Sequence, residues 1–144
     1  MKKEVKIKKE NSIRGKKSRA SGARFELKVR DELEKQGWTI DRWTNNVDLE
    51  LKKIVKAKRK YNPFLKFLSI GTGFPDFICF KRTGKKYNII GVEVKKNGWL
   101  DKIENEKCKF ILNNKVFSKI LIAKNGKERG NIDYIDFEKK HGLI

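Results

Sequence analysis

The sequence predicts an α/β fold whose elements follow the order αβββαβ, with one further strand. Three patterns predict it: an amphipathic helix that opens the apolar part of the chain, two strands around a short loop, and a helix followed by a buried strand. A length of 144 residues suits one domain with a modest core. We therefore expect a single domain over residues 21–144, preceded by a basic flexible arm at residues 1–20.

The predicted arm is strongly basic, with nine Lys or Arg against two Glu and almost no apolar residues. This composition is typical of a segment that is disordered in isolation. A solubilising tail or a localisation signal would explain it, but an arm that binds phosphates also fits because the rest of the chain is basic. Four residues lie nearest to the first helix and are best placed to bind nucleic acid: Arg14, Lys16, Lys17 and Arg19.

The first helix is predicted between Ser21 as its N-cap and Gly37 as its C-terminal stop. Its apolar stripe at helical spacing consists of Phe25, Val29 and Leu33. Glu26 lies at the edge of this stripe, about 20° from Leu33. An ion pair with Arg30, four residues later, would make Glu26 structural, and the pattern alone favours neither that interpretation nor a functional role.

Residues 38–43 alternate as a first strand, and a basic segment at about 45–70 follows it. In this segment the spacing of Leu49, Leu51, Ile54 and Val55 predicts a helix that ends at residues 61–63, before an apolar cluster at 64–68. An insertion that covers the core and one that grips a substrate or forms a dimer remain equally open. In either case Lys58 and Arg59 extend the basic surface.

The middle of the chain predicts a β-hairpin, with strands at residues 76–81 and 87–95 and a loop at 82–86. If the turn is centred next to Gly84, residues whose numbers sum to 169 face each other, which pairs Asp76 with Glu93. Side chains alternate along a strand, so Lys95 points the same way as Glu93. Two carboxylates and a lysine therefore converge on one patch.

Two carboxylates facing each other repel, and the apolar strands around them indicate that they are buried. A divalent cation such as Mg²⁺ would explain the pair, because Mg²⁺ binds one or two carboxylates and keeps waters for a phosphate to displace. A solvated strand face with one acid–base pair is the alternative. The glycine-rich residues Gly71, Thr72 and Gly73 let the backbone turn sharply into this strand.

After the hairpin, residues 99–114 predict a helix, residues 117–123 a buried strand and residues 132–137 a weaker strand. Lys107 falls within the apolar stripe of this helix. A lysine whose stem lies along the apolar surface while its ammonium stays in water would explain this position without a function.

Composition limits the function further. The chain has 37 Lys or Arg, 18 Asp or Glu and a formal net charge of +19, which favours a polyanion as its partner, with nucleic acid first. One histidine and two cysteines without metal-ligand spacing argue against a zinc site, so Cys79 and Cys108 are expected to be buried free thiols. With no long apolar segment or signal-peptide pattern, we expect a soluble cytoplasmic protein without membrane association or a small-molecule cofactor.

Pro75 and Asp76, followed by the motif Glu93, Val94 and Lys95, resemble the signature of the PD-(D/E)XK nuclease superfamily. The residues from Gly22 to Glu26 are similar to the opening of the first helix in archaeal Holliday-junction resolvases of that superfamily. The resemblance implies a restriction-endonuclease-like core, in which a mixed central sheet is flanked by helices. It also implies a metal site for Mg²⁺, with Mn²⁺ as a substitute, formed by Asp76, Glu93, the Val94 carbonyl and Glu26.

The resemblance implies roles for two lysines. Lys95 would orient the attacking water and neutralise charge on the phosphate, because nearby carboxylates raise a lysine pKa and make a basic role less favourable. Many family members carry a glutamine or lysine on the later helix, facing the active site, and Lys107 matches that position.

The implied function is a metal-dependent endonuclease that hydrolyses phosphodiester bonds in DNA. Structure-selective cleavage by a homodimer, as in Holliday-junction resolvases, is the first expectation. A nuclease of replication, repair or mobile elements that acts on another DNA structure is one alternative, and a non-catalytic basic DNA- or RNA-binding module is the other.

Overall fold

The computed structural model describes residues 2–58, 60–63, 67–69 and 73–142. Its elements, in chain order, are helix α1 (Lys2–Lys35), strands β1 (Thr39–Arg42), β2 (Asn45–Asp48), β3 (Lys53–Lys56), β4 (Lys60–Asn62), β5 (Phe67–Ser69), β6 (Phe77–Thr83) and β7 (Lys86–Val94), helix α2 (Lys102–Asn113), strands β8 (Ile120–Asn125) and β9 (Ile132–Asp136), and helix α3 (Phe137–His141). The predicted α/β class is confirmed.

A five-stranded mixed sheet forms the centre of the fold, in the order β1-β6-β7-β8-β9. Strands β7 and β8 are parallel, and the other neighbouring strands are antiparallel. A parallel pair needs a long crossover, which α2 provides between β7 and β8. Two small hairpins, β2–β3 and β4–β5, lie outside this sheet.

The central hairpin has the predicted register. Phe77 pairs with Val92 at one end and Thr83 with Lys86 at the other, so both pairs obey the sum of 169. Only two residues, Gly84 and Lys85, connect the strands, and Gly84 has a φ of 63°. A positive φ at the first position of a two-residue turn is readily adopted by glycine, which explains why the turn is centred there.

Each face of the sheet packs against one long helix. On one face, the α1 stripe of Phe25, Val29 and Leu33 packs with buried sheet residues that include Ile90 and Val92. On the other, Cys108 and Ile111 of α2 pack in a cluster that includes Ile120, Ile122 and Phe137. Because side chains alternate along β7, Glu93 points to the α2 side.

Cys79 and Cys108 are buried free thiols, as predicted. Burial raises the pKa of Cys79 to about 12.

Helix α1 begins at Lys2, so the predicted N-cap at Ser21 is wrong and residues 2–20 are helical rather than irregular. Both prolines of the chain come later, at Pro63 and Pro75, and Lys and Arg are good helix formers. The first buried residue of α1 is Phe25. We refer to residues 2–20, whose side chains are almost all exposed, as the basic arm.

The predicted helix in the 45–70 segment is also wrong, because the chain forms the β2–β3 hairpin there. Asp48 accepts hydrogen bonds from the backbone N–H groups of Glu50 and Leu51, and Lys52 adopts a φ of 50°, which together close a turn. The β-branched residues of the two strands favour extended backbone. Seven residues of the predicted segment and its neighbourhood lie outside the described residues: Arg59, Phe64, Leu65, Lys66, Ile70, Gly71 and Thr72.

The remaining predicted elements are shifted at their ends. Helix α2 starts at Lys102, because Asp101 caps it, and β8 starts at Ile120, because Phe117 is buried in the loop before the strand. In the part of the chain that the structure describes, no helix combines the length and the apolar character needed to cross a bilayer.

Candidate active site

Asp76 and Glu93 face each other where β6 begins and β7 ends. The backbone N–H of Asp76 donates a hydrogen bond to Glu93 Oε2 at 3.1 Å, and the backbone N–H of Val94 donates to Asp76 Oδ2 at 2.8 Å. The hairpin register therefore brings the predicted pair together on one side of the sheet.

Both carboxyl groups of the pair are shielded from water. The exposed fraction of Glu93 is 6%, and burial, followed by the charge of Asp76, raises the pKa of Glu93 well above its ordinary value. Burial raises the pKa of Asp76 to about 6, although the hydrogen bond from Val94 lowers it. Without a cation, two such groups favour holding a proton between them.

Lys95 lies beside the pair. Its Nζ is 4.0 Å from Glu93 Oε1 and only 2.7 Å from Glu104 Oε2 on α2. Burial lowers the pKa of Lys95, but the hydrogen bond and charge of Glu104, with the charges of Glu93 and Asp76, raise it overall. The ammonium group is therefore held charged, which suits positioning and charge neutralisation better than proton abstraction.

Glu104 belongs to the same site but was not predicted from the sequence. Its side chain is only 17% exposed. Oε1 accepts a hydrogen bond from the backbone N–H of Asp101, and Oε2 forms the ion pair with Lys95. The Asp101 side chain accepts in turn from the backbone N–H of Glu104, which completes a capping box. An acidic residue three positions after a helix N-cap is the sequence signal that would have found it.

Glu26 approaches the pair from the α1 side. Its Oε2 lies 3.9 Å from Arg42 Nη2, its side chain is 35% exposed, and its charge contributes to the raised pKa of Asp76, after burial. The alternative ion pair between Glu26 and Arg30 does not form, and Arg30 instead binds Glu34 at 2.9 Å. Among the described residues, no three side chains of His, Cys, Asp or Glu form a group that would hold a metal ion. The structure thus joins Asp76 and Glu93 and leaves Glu26 outside the pair.

Lys107 lies over Phe74, with Nζ 5.7 Å from the ring centroid. It also lines a cleft of about 510 Å³ between α2 and the β2–β3 hairpin, and Lys58 lines the same cleft. Lys107 therefore lies near the backbone that leads into Asp76, while the contact from α2 to Lys95 is made by Glu104.

The segment before Asp76 is fixed by close backbone contacts. A Cβ atom at Gly73 would overlap the backbone oxygens of Trp43 and Asn45, and the N–H of Phe74 donates to the Asn45 oxygen at 2.9 Å. The Phe74–Pro75 peptide is cis. Glycine at Gly73 thus allows a close approach of two backbone segments, while the predicted sharp turn includes Gly71 and Thr72, which lie outside the described residues.

The C-terminal end of the basic arm lies beside this end of the sheet. Lys96, one residue after Lys95, donates a hydrogen bond to Ser21 Oγ on α1. The four predicted phosphate-binding residues of the arm are all exposed: Arg14, Lys16, Lys17 and Arg19. A contiguous helix thus carries these four positive charges N-terminal to the Ser21 contact.

The chain matched no protein-family profile, no curated protein and no solved structure in three comparisons. The resemblance to nucleases therefore depends on the motif residues themselves.

Proposed function

We propose that this chain is a metal-dependent DNA endonuclease with a PD-(D/E)XK-type active site. One observation carries the proposal: the buried Glu93 and the half-buried Asp76 face each other across neighbouring strands, with the Lys95 ammonium beside them. Buried like charges need a compensating partner, and Lys95 is shared with Glu104. A divalent cation would supply the missing positive charge.

The chemistry of the donor set fits Mg²⁺ or Mn²⁺. Asp76 and Glu93 offer hard carboxylate oxygens, and we assign the Val94 carbonyl as a third ligand. Glu26, whose charge already acts on Asp76, would complete the site or help to hold a second ion. A bound cation would polarise the scissile phosphate and activate a water for attack.

The residues of the chain supply the rest of the proposed mechanism. The Lys95 ammonium, held by Glu104, would orient the attacking water and stabilise negative charge that develops on the phosphate. The hydrogen bonds from the Asp76 and Val94 backbone amides fix both carboxylates before the substrate binds. Catalysis would thus depend on a preorganised arrangement of charges.

The fold supports the same proposal. The order α1-β1-β6-β7-α2-β8 agrees with a restriction-endonuclease-like αβββαβ core, with β2 to β5 inserted after β1. The net charge of +19 favours binding to a phosphate backbone, through the basic arm and the lysines of the α2 cleft, Lys58 and Lys107. We propose DNA as the substrate and structure-selective cleavage by a homodimer as the mode of action.

Cleavage of labelled DNA with Mg²⁺ tests this proposal. The wild-type chain should cut at least one of four-way, flap, single-stranded and duplex DNA, and Glu93→Ala and Lys95→Ala should abolish cutting while DNA binding persists. Gel filtration of the same samples would show whether the active species is a dimer. Cutting in the presence of EDTA, or full activity in both variants, would contradict the assignment.

A non-catalytic basic nucleic-acid-binding module is the second candidate, since no group of three metal ligands forms among the described residues. In that case Asp76 and Glu93 would share a proton as a structural pair. DNA binding that is normal in all variants, without cutting of any substrate, would favour it.

A further inference from the structure

A cavity of about 250 Å³ includes Ile122, which pairs with Glu93 on the neighbouring strand, and it has no part in the proposed chemistry. Residues that line it include Trp99, Ile122, Ile135, Phe137, Lys140 and His141. It opens on the α2 side of the sheet, where Glu93 also points.

The strand register gives the distance between the cavity and the site. Ile122 is the partner of Glu93 on the neighbouring strand, and Ile135 is the partner of Ile122 on the next one. Strands are about 4.8 Å apart, so these two floor residues lie roughly 5 and 10 Å from Glu93. A nucleotide next to a phosphate bound at Glu93 would reach this cavity.

Trp99 lines the cavity and follows Lys95 closely along the chain. Its side chain is 77% exposed, although Trp is among the residues that gain most from burial. Its backbone N–H donates to Asn97 Oδ1 at 2.9 Å, and the N–H of Gly98 donates to the Lys95 oxygen at 2.8 Å. The loop that carries Trp99 is thus tied to the active-site strand.

The opposite wall is aromatic and cationic. Phe137 and His141 are stacked, with ring centroids 4.1 Å apart, and Lys140 lies next to them. On the Trp99 side, the stem of Lys124 packs against Gly98. An apolar floor, aromatic side chains and the Lys140 ammonium match the faces and the phosphate of one nucleotide.

We propose that this cavity binds one unpaired base of the DNA strand, next to the scissile phosphate, with Trp99 as its stacking partner. The inference depends on the proposed nuclease function for its location, and it narrows the substrate to DNA with unpaired nucleotides beside the cut. A base inside an intact duplex is stacked on its neighbours and would have to be flipped out to enter.

The test measures binding of the full chain in EDTA to oligothymidine and to a duplex of the same length. Trp99→Ala should weaken oligothymidine binding about tenfold, as loss of one base–aromatic stack predicts, with little effect on duplex binding. Trp99→Phe should retain most of the affinity. Tyr87→Ala is the matched control, because Tyr87 is 61% exposed and lies at the far end of β7.

The intrinsic tryptophan fluorescence gives an independent result. Oligothymidine should quench the emission of the wild-type chain, and Trp99→Phe should remove most of that quenching. Equal affinity of Trp99→Ala and wild type for oligothymidine, or an equal loss for both DNAs, would overturn the cavity proposal. These binding measurements do not depend on cleavage. If the wild-type chain binds oligothymidine as expected but never cuts DNA, the nuclease function is contradicted and the cavity proposal is not.

Discussion

The Lys95 ammonium makes its short ion pair, at 2.7 Å, with Glu104 and lies 4.0 Å from Glu93. The lysine of the motif is therefore held by a residue outside the motif. Because Glu104 also belongs to the capping box of α2, the start of this helix and the position of the ammonium group are coupled.

Glu104→Gln should reduce cleavage about tenfold, a loss typical of a displaced positioning group. The variant keeps the shape of the side chain but removes the charge that raises the pKa of Lys95, so burial would let Lys95 lose its proton at lower pH. The alkaline limb of the pH–rate profile should shift to lower pH.

Glu106→Gln is the matched control, since Glu106 lies on the exposed side of α2 and contacts Lys109 at 3.5 Å. An unchanged pH profile in Glu104→Gln would show that this residue only caps the helix.

The metal-free protein should lose stability as pH rises from about 4 to about 6. The pKa of Asp76 is raised from 3.8 to about 6 in the folded chain, so the folded state binds more protons than the unfolded state within this window. The stabilising contribution is complete below the unfolded pKa and lost above the folded one. Asp76→Asn should remove the contribution of Asp76 to this dependence, leave that of Glu93, and be more stable at pH 8 by roughly 1–3 kcal/mol.

Urea unfolding in EDTA across this pH range measures the effect. Asp31→Asn, at an exposed position of α1, should follow the wild-type curve. If the difference between Asp76→Asn and wild type stays constant with pH, the Asp76 carboxyl is not shielded as the structure indicates.

Gly91→Ala should destabilise the fold and reduce cleavage. A Cβ at Gly91 would lie 2.7 Å from Pro75 Cγ and 3.0 Å from Phe117, so the added methyl would push on the residue before Asp76. We expect a loss of about 1–3 kcal/mol, as for other overpacked sites, in thermal unfolding. Gly22→Ala, which meets nothing within 4 Å in helix α1, should be neutral or stabilising. Equal stability of the two variants would contradict the tight packing of Pro75.

Removing positive charge from the basic arm should lower the salt dependence of DNA binding. The fourfold alanine variant of Arg14, Lys16, Lys17 and Arg19 should reduce the slope of log K against log salt by up to about 3–4 if all four contact phosphates. The control is the double variant that combines Lys85→Ala with Lys86→Ala, at the turn between β6 and β7. An unchanged slope in the arm variant would remove the arm from the DNA interface.

Local rules explain which parts of the structure the sequence could predict. The hairpin register followed from one turn at Gly84 and two apolar strands, and it was enough to pair Asp76 with Glu93. The β2–β3 hairpin was mistaken for a helix because four apolar residues have helical spacing, although two of them, Leu49 and Leu51, lie in the turn that Asp48 closes. Glu104 contacts Lys95 only after α2 folds back on the sheet, so spacing within the motif could not reveal it.

Calorimetric titration of Mn²⁺ into the DNA-free chain at pH 8 tests the central claim most directly. The carboxylate pair should bind Mn²⁺ saturably, and Asp76→Ala should lose that binding while Asp31→Ala keeps it. No saturable heat in the wild-type chain, or the same binding in Asp76→Ala, would contradict the claim that Asp76 and Glu93 hold a divalent cation.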